Sequence, residues 1–173
     1  MAGSFSIPAA GMKDGHHVYE FEIDKKFFDL FEESEIREGN LVARVEAQKS
    51  PALADLNIRI TGNVQVCCDR CLEMFYHPVD CENRLLVKFG LEMDDSDPEI
   101  ITIPRDEFEL DLRQYFYEFI HLALPIQRIH PENDKDESTC NPVMIQKLRE
   151  HLVKENIKTD PSWDELRKLM NDN

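Results

Sequence analysis

The chain lacks long hydrophobic runs and is poor in glycine. No apolar stretch among its 173 residues approaches the roughly 20 residues that a membrane-spanning helix needs. Six glycines leave little material for a nucleotide-binding loop, and GxSxG and HExxH motifs are absent. The sequence therefore predicts no membrane association, no small-molecule substrate and no enzymatic activity.

Positive charge is also scarce, because 20 Lys and Arg residues face 35 Asp and Glu residues, giving a formal net charge of −15. Charge of this sign repels phosphate backbones, whose binding usually rests on Lys and Arg. A large interface with bare nucleic acid is therefore disfavoured, and basic proteins or cations are the more natural partners. The alternative is that the charge mainly maintains solubility.

The five cysteines are an odd number without a small-domain disulfide pattern. This usage indicates a reducing, cytoplasmic location. Residues 1–15 have neither a basic start nor a continuous apolar segment, so we expect no signal peptide.

Two of the cysteines, Cys68 and Cys71, form a CxxC motif. This spacing suits two ligands of one soft metal ion, a redox pair, or ordinary thiols. Redox catalysis of the thioredoxin type needs the first cysteine at a helix N-terminus, where its pKa is lowered. Here the motif follows a strand pattern and falls at the tip or shoulder of a predicted hairpin, which favours a structural zinc site.

A zinc site needs two further ligands, and a second CxxC is absent. The best candidates are His130 and Cys140, which lie in a polar loop after a predicted helix at residues 112–124. They complete a Cys3His set with Cys68 and Cys71, and His77 is a substitute fourth ligand. The alternatives are that His130 is merely exposed and that Cys140 caps a turn.

Hydrophobic periodicity predicts an α+β fold. Period-two alternation marks strands at residues 18–23, 41–47, 56–68 and 79–89, with Gly62 marking a bulge or bend, and a short strand at 100–103. Helical spacing follows at residues 112–124 and 143–155, and Asp160-Pro161 begins a third helix. The order predicts a mostly antiparallel sheet, with barrel-like closure as an alternative, packed with two to three C-terminal helices.

We expect residues 1–173 to form a single domain. Within it, residues 1–15 are expected to be flexible, 16–104 mainly β and 105–173 mainly helical. The acidic segment 92–99 lacks the spacing and glycine of an EF-hand, so it is interpreted as a solvated loop.

Basic side chains in two places are candidate contacts with a partner or with RNA. They are Arg59, Arg70, Arg84 and Lys88 along the hairpin, and Lys147, Arg149 and Lys154 along a helix.

The motifs also resemble a known family. Cys68-Asp69-Arg70-Cys71-Leu72-Glu73 is similar to the CxRCLE element of the YceD family, the large-subunit ribosomal RNA accumulation proteins of bacteria and chloroplasts. Residues 109–112, the Leu-Ala-Leu-Pro run at 122–125, a later His and Cys, and Asp160-Pro161-Ser162-Trp163 follow in the family's order. By this resemblance Cys68, Cys71 and Cys140 match the family's cysteines, and His130 its preceding histidine.

The resemblance implies a non-enzymatic cytoplasmic factor needed for accumulation or processing of large-subunit ribosomal RNA. With the charge of −15, the leading hypothesis is an assembly factor that binds basic ribosomal proteins or a large-subunit precursor. The alternatives are a module that binds ribosomal RNA directly and, with less support, a thiol redox or metal-sensing protein.

Overall fold

The computed structural model describes residues 5–9, 12–90, 100–104, 108–133 and 138–152. The chain divides into two compact units, Met1–Cys140 and Asn141–Asn173. The acidic segment 92–99, the candidate contact Lys154 and the helix predicted after Asp160 lie outside the described residues.

The first unit contains seven described strands and two helices, and the second contains one described helix. The strands are β1 (Ser6–Pro8), β2 (Gly15–Ile23), β3 (Gly39–Lys49), β4 (Leu53–Cys67), β5 (Met74–Gly90), β6 (Ile100–Pro104) and β7 (Glu109–Asp111); the helices are α1 (Lys25–Phe28), α2 (Arg113–Ala123) and α3 (Pro142–His151). The predicted α+β class is confirmed. No helix in the described part of the chain has both the length and the apolar character needed to cross a membrane.

Five of the strands form one sheet in the order β2-β3-β4-β5-β6. Neighbours pair antiparallel except β5 and β6, which are parallel. Among the described residues the sheet is open, with β2 and β6 at its edges, so the barrel-like alternative has no support. A separate antiparallel pair joins β7 to β1, which lies in the N-terminal segment expected to be flexible.

The sheet has one buried face and one exposed face, because buried and exposed side chains alternate along β3, β4 and β5. Its buried side chains include Ala43, Val45, Ile58 and Ile60, none of which is exposed. Aromatic side chains from the residue before β1 and from β2, α1 and α2 accompany this core: the Phe5 and Phe27 ring centroids are 4.9 Å apart, and those of Phe21 and Phe116 are 5.4 Å apart. This packing stabilises the sheet, and two of its strands, β4 and β5, are joined by the turn that carries Cys68 and Cys71.

Gly62 allows two strands to approach closely. A bulge or bend is predicted here, but β4 keeps an unbroken register with both neighbours, pairing Gly62 with Leu41 and with Val79. Its φ is +146°, and a Cβ built on it would lie 2.2 Å from the backbone oxygen of Asn40. The bulge interpretation is therefore wrong; glycine is required by backbone conformation and by lack of space.

A side chain just before each of α2 and α3 accepts a hydrogen bond from the first turn of that helix. α2 begins at Arg113, and Asp111 Oδ1 accepts a hydrogen bond of 2.9 Å from the Arg113 backbone N–H. In the second unit, Asn141 caps α3 by accepting from the backbone N–H of Val143, and Pro142 occupies the first helical turn.

Candidate metal centre

The CxxC motif lies in the tight connection between β4 and β5, as the sequence predicts. β4 ends at Cys67 and β5 begins at Met74. The backbone N–H of Cys68 donates to the Glu73 carbonyl, and that of Leu72 donates to the Cys68 carbonyl, each at 2.9 Å. The first cysteine therefore follows a strand and lacks the helix N-terminus on which thioredoxin-type reactivity depends.

The turn that follows Cys71 contains backbone strain. Leu72 has a φ of +61° and is the one described non-glycine residue with a positive φ. This left-handed conformation costs a branched side chain about 1–2 kcal/mol. The Leu72 side chain is also 67% exposed, so burial offsets little of the cost.

The second half of the site comes from the segment after α2. An isolated bridge pairs Glu132 with Ser138, and the Thr139 hydroxyl donates to the Pro131 carbonyl at 2.6 Å. The Cys140 backbone N–H donates to Ser138 Oγ at 3.3 Å. These contacts hold residues 131 and 132 beside residues 138 and 139, so that the two predicted ligands, His130 and Cys140, become neighbours.

Asp69 joins the two halves. Its backbone N–H donates to the Arg128 carbonyl at 2.7 Å, and its Oδ2 accepts from the Arg128 backbone N–H at 2.6 Å. The Arg128 side chain in turn donates to Glu35 Oε2 at 2.8 Å. Asp69, Arg128 and Glu35 are not among the site residues predicted from the sequence. Asp69 lies inside the CxxC motif, and this position indicates that it could contact the rest of the site. No local sequence pattern indicates that Arg128 or Glu35 makes these contacts.

The four predicted ligands meet at one point. Their ligand atoms, from Cys68, Cys71, His130 and Cys140, all lie within 4.8 Å of one another. Cys68 Sγ is 3.7 Å from Cys140 Sγ, and His130 Nδ1 is 3.4 Å from Cys71 Sγ and 3.7 Å from Cys140 Sγ. Zn–S bonds of about 2.3 Å and Zn–N bonds of about 2.0–2.1 Å in a tetrahedron place ligand atoms about 3.5–3.8 Å apart.

The donor set and its surroundings also fit a metal ion. All three cysteines are buried, and His130 is half-buried. The His130 ring packs on Phe75, with ring centroids 4.6 Å apart, which fixes its orientation. His77, the substitute ligand, is not part of the cluster among the described residues. Four protein ligands would fill a tetrahedral shell and leave no open position for catalysis, as in structural zinc sites.

The thiols differ in acidity. Burial raises the pKa of the Cys68 thiol, but hydrogen bonds from the backbone N–H groups of Cys71 and Arg70 and from His130 outweigh burial and lower the pKa to about 6. Burial raises the pKa of the Cys140 thiol, and the neighbouring Cys68 thiol raises it further. One thiolate thus forms readily, while additional negative charge is disfavoured. A bound divalent cation would remove this conflict, because a coordinating thiol is deprotonated.

The candidate basic contacts come from several elements, and three of them, Arg59, Arg84 and Lys88, share the exposed face of the sheet. Arg59 and Arg84 lie on the exposed sheet face, where Arg59 pairs with Asp80 at 3.0 Å and Arg84 with Asp55 at 2.6 Å. Lys88 lies further along β5, whereas Arg70 lies in the CxxC turn. Lys147 and Arg149 belong to α3 in the second unit.

The comparisons with known proteins give one match. Residues 56–170 match the family model described as Large ribosomal RNA subunit accumulation protein YceD. This range covers about two thirds of the chain and includes all four residues of the cluster. No curated protein and no solved structure matches the chain.

Proposed function

Since this chain belongs to the YceD family, whose description names large ribosomal RNA subunit accumulation, we propose that it is a non-catalytic factor in large-subunit ribosome assembly. The protein acts in the cytoplasm, where it binds basic ribosomal proteins or a precursor particle. The family match over residues 56–170 is the observation that carries this proposal.

The proposed role of Cys68, Cys71, His130 and Cys140 is to hold one structural zinc ion. The spacing of the ligand atoms and the burial of the thiols support it. The ion would fasten the β4–β5 turn to His130 and Cys140, and it would take no direct part in binding RNA or protein.

Charge supports a protein partner over bare RNA. The exposed sheet face places carboxylates beside its arginines: Arg44 contacts Glu20 and Glu46, Arg59 contacts Asp80, and Arg84 contacts Asp55. An arginine already paired must give up that carboxylate before it binds phosphate. A Lys- or Arg-rich protein meets no such competition, because it pairs with the carboxylates in excess.

Sedimentation tests this function directly. Tagged protein in a lysate at low salt is expected to travel partly with large-subunit precursors, and its depletion is expected to lower large-subunit ribosomal RNA. A protein found only in the free fraction, whose loss leaves that RNA unchanged, would overturn the proposal.

Direct binding of ribosomal RNA is the competing function. A filter-binding titration with protein-free large-subunit RNA at low ionic strength separates the two. We expect weak or no retention, and an Arg59→Gln, Arg84→Gln variant is expected to behave like wild type. Tight binding whose affinity falls as the salt concentration rises, and which is weaker in that variant, would favour the RNA-binding function instead.

A further inference from the structure

The exposed face of the sheet changes character at the end that holds the CxxC turn. Outward positions at this end of β4 and β5 are, in facing pairs, Cys67 and Met74, Gln65 and Tyr76, and Asn63 and Pro78. We call these six residues the tip patch. None carries a charge, although Asp, Glu, Lys and Arg make up 32% of the chain.

The tip patch exposes apolar surface. Met74 is 46% exposed and Tyr76 is 57% exposed, while Val66 and Phe75, which alternate with them on the other face, are buried. Leu72, 67% exposed, adjoins the patch in sequence and holds a strained left-handed conformation. Neither its exposure nor its backbone conformation stabilises the fold, so folding alone does not account for a leucine at this position.

Composition of this kind is typical of the centre of a protein interface. Such centres are depleted in charge and enriched in Tyr and Met, and Tyr is among the residues that most often dominate binding energy. The patch is poorly suited to binding a nucleic acid, because its six residues include no Lys or Arg to neutralise phosphate.

The charged side chains on the rest of the same face indicate the charge of a protein that would bind at the tip patch. Beyond the tip patch, the outward charged side chains of β2 to β5 comprise four basic residues, Arg44, Arg59, Arg84 and Lys88, and six carboxylates, Glu20, Glu22, Glu46, Asp55, Asp80 and Glu82. On β5, Asp80 follows Pro78 by two residues and so shares its face. A partner centred on the patch therefore meets a surface with excess negative charge.

We propose that the tip patch is the docking site for a cationic ribosomal protein, which seats an apolar side chain against Met74 and Tyr76 and places Lys or Arg over Asp80 and Glu82. This inference rests on the proposed function and adds to it the surface that binds. The CxxC turn connects the two strands of the patch, from Cys67 to Met74, and carries two of the four candidate zinc ligands. A bound zinc ion would therefore hold these two strands in place.

The test uses the full-length protein and cationic proteins extracted from purified large subunits with concentrated salt and then separated. A Met74→Ser, Tyr76→Ser variant is compared with Val18→Ser, Val42→Ser, a control pair on the same face with exposures of 43% and 42%. We expect the tip variant to lose about tenfold or more in affinity for at least one extracted protein, and the control less than about twofold.

Equal thermal unfolding of the two variants excludes a loss of fold as the cause of a difference. Equal binding by the two variants, or no binding of any extracted protein by wild type, would overturn the docking site. Binding of protein-free large-subunit RNA that depends on Met74 and Tyr76 would assign the patch to RNA instead. If the tip variant still sediments with precursors like wild type, the patch is refuted while the assembly function stands.

Discussion

Asp69 and Arg128 exchange two short hydrogen bonds across the candidate metal centre. The Asp69 backbone N–H donates to the Arg128 carbonyl at 2.7 Å, and the Asp69 carboxylate accepts from the Arg128 backbone N–H at 2.6 Å. Arg128 precedes His130 by two residues, so this exchange fixes the position from which the histidine reaches the cysteines. Asp69 is therefore a positioning residue for the site.

Replacing Asp69 tests this role. Asp69→Ala is expected to lower zinc affinity about 10–100-fold, because residues that orient metal ligands usually contribute this much. Asp69→Asn keeps an oxygen acceptor for the Arg128 N–H and should retain more of the affinity. Competition with a chromogenic chelator measures both variants. An Asp69→Ala protein with the affinity of wild type would contradict the role.

The ligand set itself is tested by two cysteine replacements. Cys140→Ser is expected to lose most of its zinc, since it removes one of the four converging ligands. Cys67→Ser is the matched control, because Cys67 is the exposed thiol next to Cys68 and lies outside the cluster. Elemental analysis of both purified proteins is the measurement. Retention of stoichiometric zinc in Cys140→Ser would refute Cys140 as an essential ligand.

Backbone conformation predicts opposite effects at Leu72 and Gly62. Leu72→Gly is expected to raise the free energy of unfolding by about 0.5–1 kcal/mol, because glycine adopts a positive φ without steric cost. Gly62→Ala is expected to lower it by more than about 2 kcal/mol, because the new Cβ meets the Asn40 backbone in a position of positive φ. Urea unfolding measures both. A destabilised Leu72→Gly protein would show that the leucine side chain makes contacts that its exposure does not reveal.

The aromatic core predicts a contrast between two phenylalanines. Phe116 on α2 has no exposed surface, so Phe116→Ala is expected to cost about 3–5 kcal/mol of unfolding free energy. Phe108 is 78% exposed, and Phe108→Ala should change stability by less than about 0.5 kcal/mol. Denaturant midpoints of the two variants provide the comparison, and similar midpoints would contradict the packing of α2.

Acid should weaken the start of α2. A hydrogen bond from the Arg113 side chain holds the pKa of Asp111 below its usual value. A carboxyl group whose pKa is lower in the folded state stabilises the fold above its unfolded pKa, about 3.9, and this contribution is lost as the pH falls through the folded value. Because the pair is about half exposed, we expect the contribution to be under about 1 kcal/mol.

Comparing Asp111→Asn with wild type isolates this contribution. The stability difference measured in urea should be present at pH 7 and shrink below about pH 4. Asp14→Asn, at an exposed position, serves as the control. A difference that stays constant down to pH 2 would show that Asp111 acts only through its neutral hydrogen bonds.

Much of the fold follows from local pattern. The alternation of apolar and polar residues along β3, β4 and β5 predicts which side chains are buried, and helical spacing of apolar residues predicts α2 and α3. Contacts between distant segments leave no such pattern. The pairing of β1 with β7 joins residues more than 100 apart in sequence, and neither three-residue strand has a usable period.

For the site, the sequence supplies the ligand types and leaves their arrangement open. Cysteine spacing identifies Cys68 and Cys71 as a pair, and the polar loop after the predicted helix at residues 112–124 supplies His130 and Cys140, which the resemblance to a family also matches. The contacts that bring the pairs together, through Asp69, Arg128 and the packing of Phe75 on His130, depend on the folded chain. Ligation of zinc by the four residues remains a prediction.

The separation of the ligands along the chain has a thermodynamic consequence. Cys71 and His130 are 59 residues apart, and Cys68 and Cys140 are 72 apart. An ion held by all four would act as a cross-link that closes a long loop, and the chain-entropy relation for such a loop gives about 4 kcal/mol of lost freedom in the unfolded chain. Zinc depletion would thus enlarge the unfolded population and expose the chain to proteases, so metal supply would set how long the protein persists.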